Sequence, residues 1–374
     1  MPGIYIHIPF CRKACNYCNF HFSVNKELIP ELTSAIIREA SLRKSYLKEP
    51  VTTIYFGGGT PSLLAENELT GIMMSIAQLF NLTDDAEITL EANPDDITKE
   101  KLQLWKRSGI NRLSIGIQSF FEEDLVWMGR AHNAIQAENA IQRAKDNGFE
   151  NISIDLIYGG PTLSNSHWEA NLAKAIEFQI PHLSCYALTV EPKTILSKKI
   201  KDRRVEDIDT EKQADHFSIL MEKTASAGYE QYEISNFALP GKRSRHNSSY
   251  WSGEHYLGLG PSAHSFNGVS RQWNIANNSL YISAINNETI PSEEEVLTQM
   301  QQVNEYIMTA LRTSAGVDLH RLGMMTDEVN VQKLLKEANR FFQNETLIQE
   351  NNHLIIPNKG KFYADGIAAA LFLL

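Results

Sequence analysis

The sequence is poor in cysteine, in basic segments and in long apolar runs, and each shortage excludes a class of protein. Only four of the 374 residues are cysteine, and three of them, Cys11, Cys15 and Cys18, crowd into one short run. That leaves no disulfide framework of the kind small secreted domains use. Unpaired thiols fit a reducing compartment, so a cytoplasmic location is expected. No basic domain offsets the formal net charge of -10, which argues against a nucleic-acid partner. Arg203-Arg204 and Lys242-Arg243-Ser244-Arg245 are only local basic spots. The longest apolar run, Ile367–Leu374, falls far short of the ~20 residues needed to cross a bilayer. At most a peripheral membrane contact is expected. Met1-Pro2-Gly3 leads straight into a strand pattern, without the basic and apolar segments of an export signal. The rest is ordinary for a globular chain, 43% hydrophobic and 21% charged, and long enough for one large core and a smaller second one.

Cys11, Cys15 and Cys18 lie on the loop after a first strand, Ile4–Ile8. Three thiolates can ligate three irons of a [4Fe–4S] cluster and leave the fourth iron open to a substrate or cofactor. A zinc site using these cysteines and His21 is the alternative. Cys185 falls within a strand pattern and reads as a buried free thiol.

Up to about residue 190, β-rich runs alternate with amphipathic segments. Strands are expected at Ile4–Ile8, Thr52–Phe56, Glu87–Glu91, Arg112–Ile117, Asn151–Ile157 and Leu183–Leu188. Helices are expected at Glu31–Leu47, Glu66–Phe80, Thr98–Arg107, Asn133–Asp146 and Ser166–Phe178. Parallel strands covered by helices place their site in the loops beyond the strand C-termini. An eight-stranded barrel and an open doubly wound sheet both fit this alternation. From about 191 the periodicity weakens: a helix, Glu211–Ala225, leads to a possible strand, Tyr229–Ile234, and then a turn-rich aromatic stretch through His246, Trp251 and Trp273. After Ser292 the pattern is helical, with Glu294–Leu311 strongest, then Val329–Asn339, a small hairpin of Leu347–Gln349 with Leu354–Ile356, and Tyr363–Leu373.

Informative residues gather at the ends of the strands. Gly57-Gly58-Gly59-Thr60 follows the second strand, where glycines let a ligand approach the backbone closely; no Gly-Lys-Ser/Thr follows, so it is not a phosphate-binding loop. Glu91 ends the third strand and Gln118 the fourth, Arg130 offers a charge-assisted partner for a carboxylate, and Asp155 lies in the fifth strand.

With its three cysteines at this spacing and Tyr17 before Cys18, the sequence resembles the radical S-adenosylmethionine (SAM) superfamily. The resemblance implies a six-stranded partial (β/α)6 barrel, an open iron chelated by SAM, and a glycine loop that binds the amino-acid end of SAM. Tyr5-Ile-His-Ile-Pro-Phe-Cys11 and Leu257-Gly-Leu-Gly-Pro-Ser-Ala-His-Ser-Phe266 resemble a narrower subgroup, the oxygen-independent coproporphyrinogen III oxidases and the HemW haem chaperones. Within it, SAM-contacting residues fall on Tyr5, Glu91, Gln118, Arg130 and Asp155. Gly159-Gly160-Pro161 departs from the subgroup, which usually has leucine between glycine and proline. The oxidase carries a further cysteine where this chain has Phe20. His246-Asn-Ser-Ser-Tyr-Trp251 matches a HemW signature whose histidine is associated with haem, with His264 a second ligand candidate.

The resemblance implies a haem chaperone that hands haem to respiratory haem proteins, with a flavoprotein electron donor and a cofactor-dependent homodimer among its partners. An oxidase-like radical SAM enzyme acting on a porphyrinogen is the alternative. It also implies a division into the barrel (1–190), an extension carrying the histidine signature (191–290), and a C-terminal helical, winged-helix-like unit (291–374).

Overall fold

The computed structural model describes residues 2–373. Its first half winds β1 (Gly3–Ile8), α1 (Ile29–Leu42), β2 (Val51–Gly58), α2 (Glu66–Leu79), β3 (Leu82–Ala92), α3 (Lys99–Arg107), β4 (Arg112–Gln118), α4 (Glu122–Met128), α5 (Ala134–Asp146), β5 (Ile152–Tyr158), α6 (Asn165–Glu177) and β6 (His182–Ala187). β1 to β6 lie side by side in sequence order and all run parallel. A doubly wound sheet reverses its strand order partway; this one never does, so it is the winding of a barrel. The ring stays open because β1 takes a different neighbour, described below.

Strand alternation explains the two faces. Ile4, Ile6 and Ile8 are fully buried under the helices, while Gly3, Tyr5 and His7 share the concave face. Local signals set the helix starts: Thr98 caps α3 by accepting from the Lys101 N–H, and Asn133 forms a reciprocal capping box with Gln136 ahead of α5.

The second half begins with α7 (Ile195–Lys201), α8 (Thr210–Ser226), β7 (Glu230–Gln231), β8 (Asn236–Ala238), α9 (Arg245–Ser252), β9 (Tyr256–Leu259), β10 (His264–Phe266), β11 (Ser270–Asn274), α10 (Asn278–Asn286) and β12 (Ser292–Val296). β9 pairs in parallel with β1, and β10, β11 and β12 continue antiparallel beyond it. β8 pairs antiparallel with β6 at the other side. The described residues thus form a twelve-stranded sheet, order β12-β11-β10-β9-β1-β2-β3-β4-β5-β6-β8-β7.

Two sequence expectations change here. Glu294 opens no helix: Ser292–Val296 is the edge strand paired with β11, and the helix starts after Thr298, whose side chain caps it in a box with Gln301. Three glutamates look helical by propensity, but Ser270 and Gln272 donate to Glu294 and hold the segment extended. The stretch around His246 is a helix, α9, capped by Ser244 and stopped by left-handed Gly253.

The chain closes with α11 (Gln299–Leu311), β13 (Val317–Asp318), α12 (Leu319–Met325), α13 (Glu328–Gln343), β14 (Ile348–Glu350), β15 (His353–Ile355) and α14 (Ala364–Ala370). Helix, strand, two helices and a hairpin is the winged-helix order. These elements enclose their own apolar core, including Val303, Ile307, Leu322, Leu334 and Leu354, separate from the barrel core.

A buried carboxylate joins the extension to the barrel. Glu39 on α1 is fully buried; it accepts from the Gly260 N–H at 2.8 Å, Tyr281 Oη at 2.6 Å and Asn274 Nδ2 at 2.8 Å, with Arg43 Nη1 at 3.3 Å. Glu39→Ala strips the acceptor from four donors and leaves Arg43 buried without its charge partner. Urea unfolding of the variant should show a loss of about 3–5 kcal/mol; a loss below about 1 kcal/mol would contradict this role.

Candidate functional site

The loop from Cys11 to Cys18 folds back over the C-terminal ends of the barrel strands. Its ends are closed by Cys11 N–H to the Ser23 carbonyl at 2.9 Å and Ser23 N–H to the Pro9 carbonyl at 2.8 Å. Arg12, between the first two cysteines, donates through Nε (2.9 Å) and Nη2 to buried Asp96. Asn16 reaches the end of α4, its N–H on the Met128 carbonyl and its Nδ2 on the Trp127 carbonyl. The three cysteines are free and half-buried, and burial pushes the Cys11 thiol up to about 11.

Donors face the sulfurs: Thr60 Oγ1 lies 3.5 Å from Cys11 Sγ, and Arg130 Nη1 lies 3.4 Å from Cys15 Sγ. These contacts favour thiolate and suit a metal-bound sulfur. His21, the fourth ligand of the zinc alternative, is committed elsewhere: its Nε2 bonds Asn278 Oδ1 at 2.7 Å. Among the described residues no three His, Cys, Asp or Glu side chains converge as a single metal ion requires. An iron–sulfur cluster instead spreads three thiolates over three irons, and the donor set fits it: Cys11, Cys15 and Cys18 would hold three irons. Such a cluster, when bound, supplies one-electron chemistry and an open coordination position.

The glycine run closes β2, with Gly57 and Gly58 its last residues and Gly59 just beyond, beneath this loop. Its composition has internal reasons. A Cβ on Gly57 would come within 2.9 Å of both Tyr5 and Tyr55 and 3.1 Å of Glu91 Oε1. Gly58 has φ +106° and a Cβ there would meet His7 at 2.6 Å; one on Gly59 would meet the Phe10 backbone at 2.7 Å. The glycines therefore let the fold close on itself, in addition to the ligand approach expected from sequence, and Gly58→Val would not test ligand binding cleanly.

Inside the barrel mouth, Tyr5, Gly57, Glu91 and Asp155 come together. Tyr55 Oη donates to Glu91 Oε1 at 2.8 Å, and Ser114 Oγ donates to Asp155 Oδ1 at 3.3 Å. Burial, then the Asp155 charge, lifts the Glu91 carboxyl to about 7; burial also lifts Asp155 to about 6, against the pull of Arg112. Two buried carboxyls that raise each other's energy across the barrel mouth favour a cationic ligand. Gln118, at the end of β4, is held at φ +67°, a left-handed backbone that costs about 1–3 kcal/mol outside glycine. Arg130 sits against the cluster loop: Nη1 reaches Cys15 and Tyr17, and Nη2 reaches Asn93 Oδ1 at 2.8 Å and the Gly116 carbonyl at 2.9 Å. Its Nε is buried without a partner, the one donor left for a carboxylate.

His246 lies at the opposite end of the strands. α9 plugs the barrel floor, its first N–H groups capped by Glu87: Arg245 N–H to Oε2 at 3.1 Å and His246 N–H to Oε1 at 3.0 Å. The imidazole is 1% exposed, with Nδ1 2.8 Å from Thr53 Oγ1 and Nε2 2.9 Å from Tyr250 Oη. It stacks on Tyr55 at 5.0 Å between ring centroids, so Tyr55 touches both the floor histidine and Glu91. Trp251 lies under Arg312 of the C-terminal unit, 5.3 Å from the guanidinium. His264, by contrast, is exposed, near Trp273 on β11. Sequence reasoning passed over Tyr55, Thr53, Asp96 and Asn93. Ser244 and Gly253, spaced as a helix cap and stop, could have revealed α9.

Burial, reinforced by Arg112, lowers the His246 pKa to about 3. The folded chain thus needs neutral imidazole, and its contribution to stability is intact above the unfolded pKa of ~6.5 and lost as the pH falls toward 3. Between pH 6 and 4, stability of His246→Gln should fall less steeply than wild type by about 1.4 kcal/mol per pH unit. Equal slopes in urea unfolding would refute the burial of a neutral His246.

The family model of the radical SAM superfamily matches residues 5–175. The chain is 37% identical to the haem chaperone HemW of Bacillus subtilis (strain 168) over 86% of this chain and 86% of that protein. It is 31% identical to the haem chaperone HemW of Mycobacterium tuberculosis (strain ATCC 25618 / H37Rv) over 99% of this chain and 94% of that protein. Among solved structures, the radical SAM enzyme coproporphyrinogen III oxidase (HemN) of Escherichia coli superposes with a TM-score of 0.86, covering 99% of this chain and 90% of that one. At 21% identity that likeness speaks for the fold, including the C-terminal unit. With the cysteine loop, the glycine run and the His246 helix on one such frame, the chain belongs to the HemW haem-chaperone family of the radical SAM superfamily.

Proposed function

We propose that this protein is a haem chaperone that passes haem to respiratory haem proteins, with a [4Fe–4S] cluster on Cys11, Cys15 and Cys18 and SAM in the barrel mouth. The observation that carries the reading is the sequence likeness to haem chaperones over most of the chain, joined to the His246–Trp251 signature on its own helix. Phe20, where the related oxidase has a cysteine, is 66% exposed and offers no proton or metal ligand. A flavoprotein electron donor and a cofactor-dependent dimer belong to the same proposal.

SAM carries a net positive charge, which suits the Glu91–Asp155 pair; Tyr5, Gly57, Gly58, Gly59, Thr60 and Gln118 form the surrounding wall, and the free Arg130 Nε suits the SAM carboxylate. Glu91 is half-protonated near pH 7 and must ionise to meet a cation. SAM affinity should therefore rise about tenfold from pH 6 to pH 8. Calorimetric titration of the cluster-loaded protein checks this; Glu91→Gln should bind more weakly and lose most of the pH dependence, and a flat wild-type profile would count against the pocket.

Haem ligation by His246 requires α9 to lift from the barrel floor, because both imidazole nitrogens are occupied and the ring is buried. Anaerobic optical titration should saturate near one haem per chain, with amide protons of 245–252 exchanging faster in the haem-loaded protein. His246→Ala should shift the Soret band or weaken binding about tenfold or more, and His264→Ala should change it less. An unchanged His246→Ala spectrum would remove the ligand role, and a wild type that binds no haem would remove the chaperone reading.

A further inference from the structure

Asn93 is a side chain to which neither the sequence pattern nor the pocket geometry gives a ligand, yet it stands between the two sulfur contacts. A guanidinium can only donate, and Arg130 Nη2 lies 2.8 Å from Asn93 Oδ1. The amide orientation is therefore fixed: oxygen toward Arg130 and Nδ2 toward Thr60 Oγ1, 3.2 Å away. Thr60 is buried, 3% exposed. Its hydroxyl accepts the Asn93 proton, and its single proton remains for Cys11 Sγ at 3.5 Å. On the other side the same guanidinium donates to Cys15 Sγ at 3.4 Å. The Asn93 backbone is pinned as well, its N–H on Ser62 Oγ at 3.3 Å and Ser62 Oγ on Asp96 Oδ2 at 2.8 Å, the carboxylate that grips Arg12.

We propose that Asn93 is a positioning residue which orients the Thr60 hydroxyl toward Cys11 and so tunes the reduction potential of the cluster. The proposal rests on the cluster assignment above. Hydrogen bonds donated to a cluster sulfur stabilise the more negative, reduced state and raise its potential. Asn93 acts at a distance, through the direction in which one hydroxyl points.

Asn93→Asp isolates this effect. The replacement is isosteric and keeps the bond to Arg130, but it sets an acceptor opposite Thr60, which turns its proton away from Cys11. The added charge also lowers the potential, so the comparison needs Thr60→Val, which removes the same sulfur contact without charge. Each variant is reconstituted anaerobically; the midpoint potential is read by EPR-monitored redox titration and iron loss by its rate of capture by a chelator. Both single variants should shift the potential to more negative values and lose iron several-fold faster than wild type. Thr60→Ser, which keeps the hydroxyl, should match wild type.

In the double variant the Asn93→Asp shift should be smaller than in the wild-type background, because the hydroxyl through which it acts is gone. Full additivity would mean that charge alone is responsible and would overturn the proposal, as would an unchanged potential in either single variant. If Asn93→Asp does not fold, Thr60→Val and Thr60→Ser decide, and equal potentials for those two would overturn it. A wild type that assembles no cluster defeats the cluster assignment and this proposal together, whereas a normal cluster indifferent to these substitutions defeats the proposal alone.

Discussion

A barrel whose concave face is polar must compensate its buried charges away from bulk water, since an unpaired buried charge costs several kcal/mol. That constraint orders this molecule from floor to mouth. At the floor, Glu87 accepts the first N–H groups of α9 and lies 4.0 Å from the Arg112 guanidinium. Burial, with Arg112 adding to it, keeps His246 and His182 neutral, and His182 is held between Ser153 and Tyr232. Higher up, Tyr55 spends its hydroxyl on Glu91 and its ring on His246. At the mouth burial prevails, and there the carboxyls of Glu91 and Asp155 rise toward neutrality. The site begins where the protein stops balancing its own charges.

The periodic parts of the fold were legible because each strand alternates apolar residues under the helices with polar ones on the concave face, and the helices between them carry clear caps such as Thr98 and Asn133. The cysteine loop was legible for a chemical reason: few side chains ligate iron, so three of one kind close together stand out. Less could be read where meaning depends on three-dimensional neighbours. Gly57, Gly58 and Gly59 suggest ligand contact, but only the structure reveals Tyr5, His7 and Phe10 packed against them. Ser292–Val296 has helical composition and becomes a strand because β11 offers partners.

His246 shows the limit most clearly. Its signature marks the segment, yet nothing in the linear pattern tells that the imidazole is buried at the foot of the barrel, on the far side from the cysteines. Tyr55 joins the two ends, stacking on His246 and hydrogen-bonding Glu91. Any displacement of α9 therefore removes a packing surface from the residue that holds Glu91, and the helix also bears on Arg312 through Trp251.

The sheet never closes, so it has two borders. On one side β7 is only two residues long and offers little template. On the other, β12 runs for five residues and presents Glu293, Glu294 and Glu295 to solvent, with Val296 72% exposed beside them. An open strand of that length invites edge-to-edge pairing with another copy, the first step of β-aggregation. Three consecutive carboxylates set against their own image repel it. The acidic stretch that sequence propensity misreads as helix thus disfavours pairing of this border with a second copy of itself.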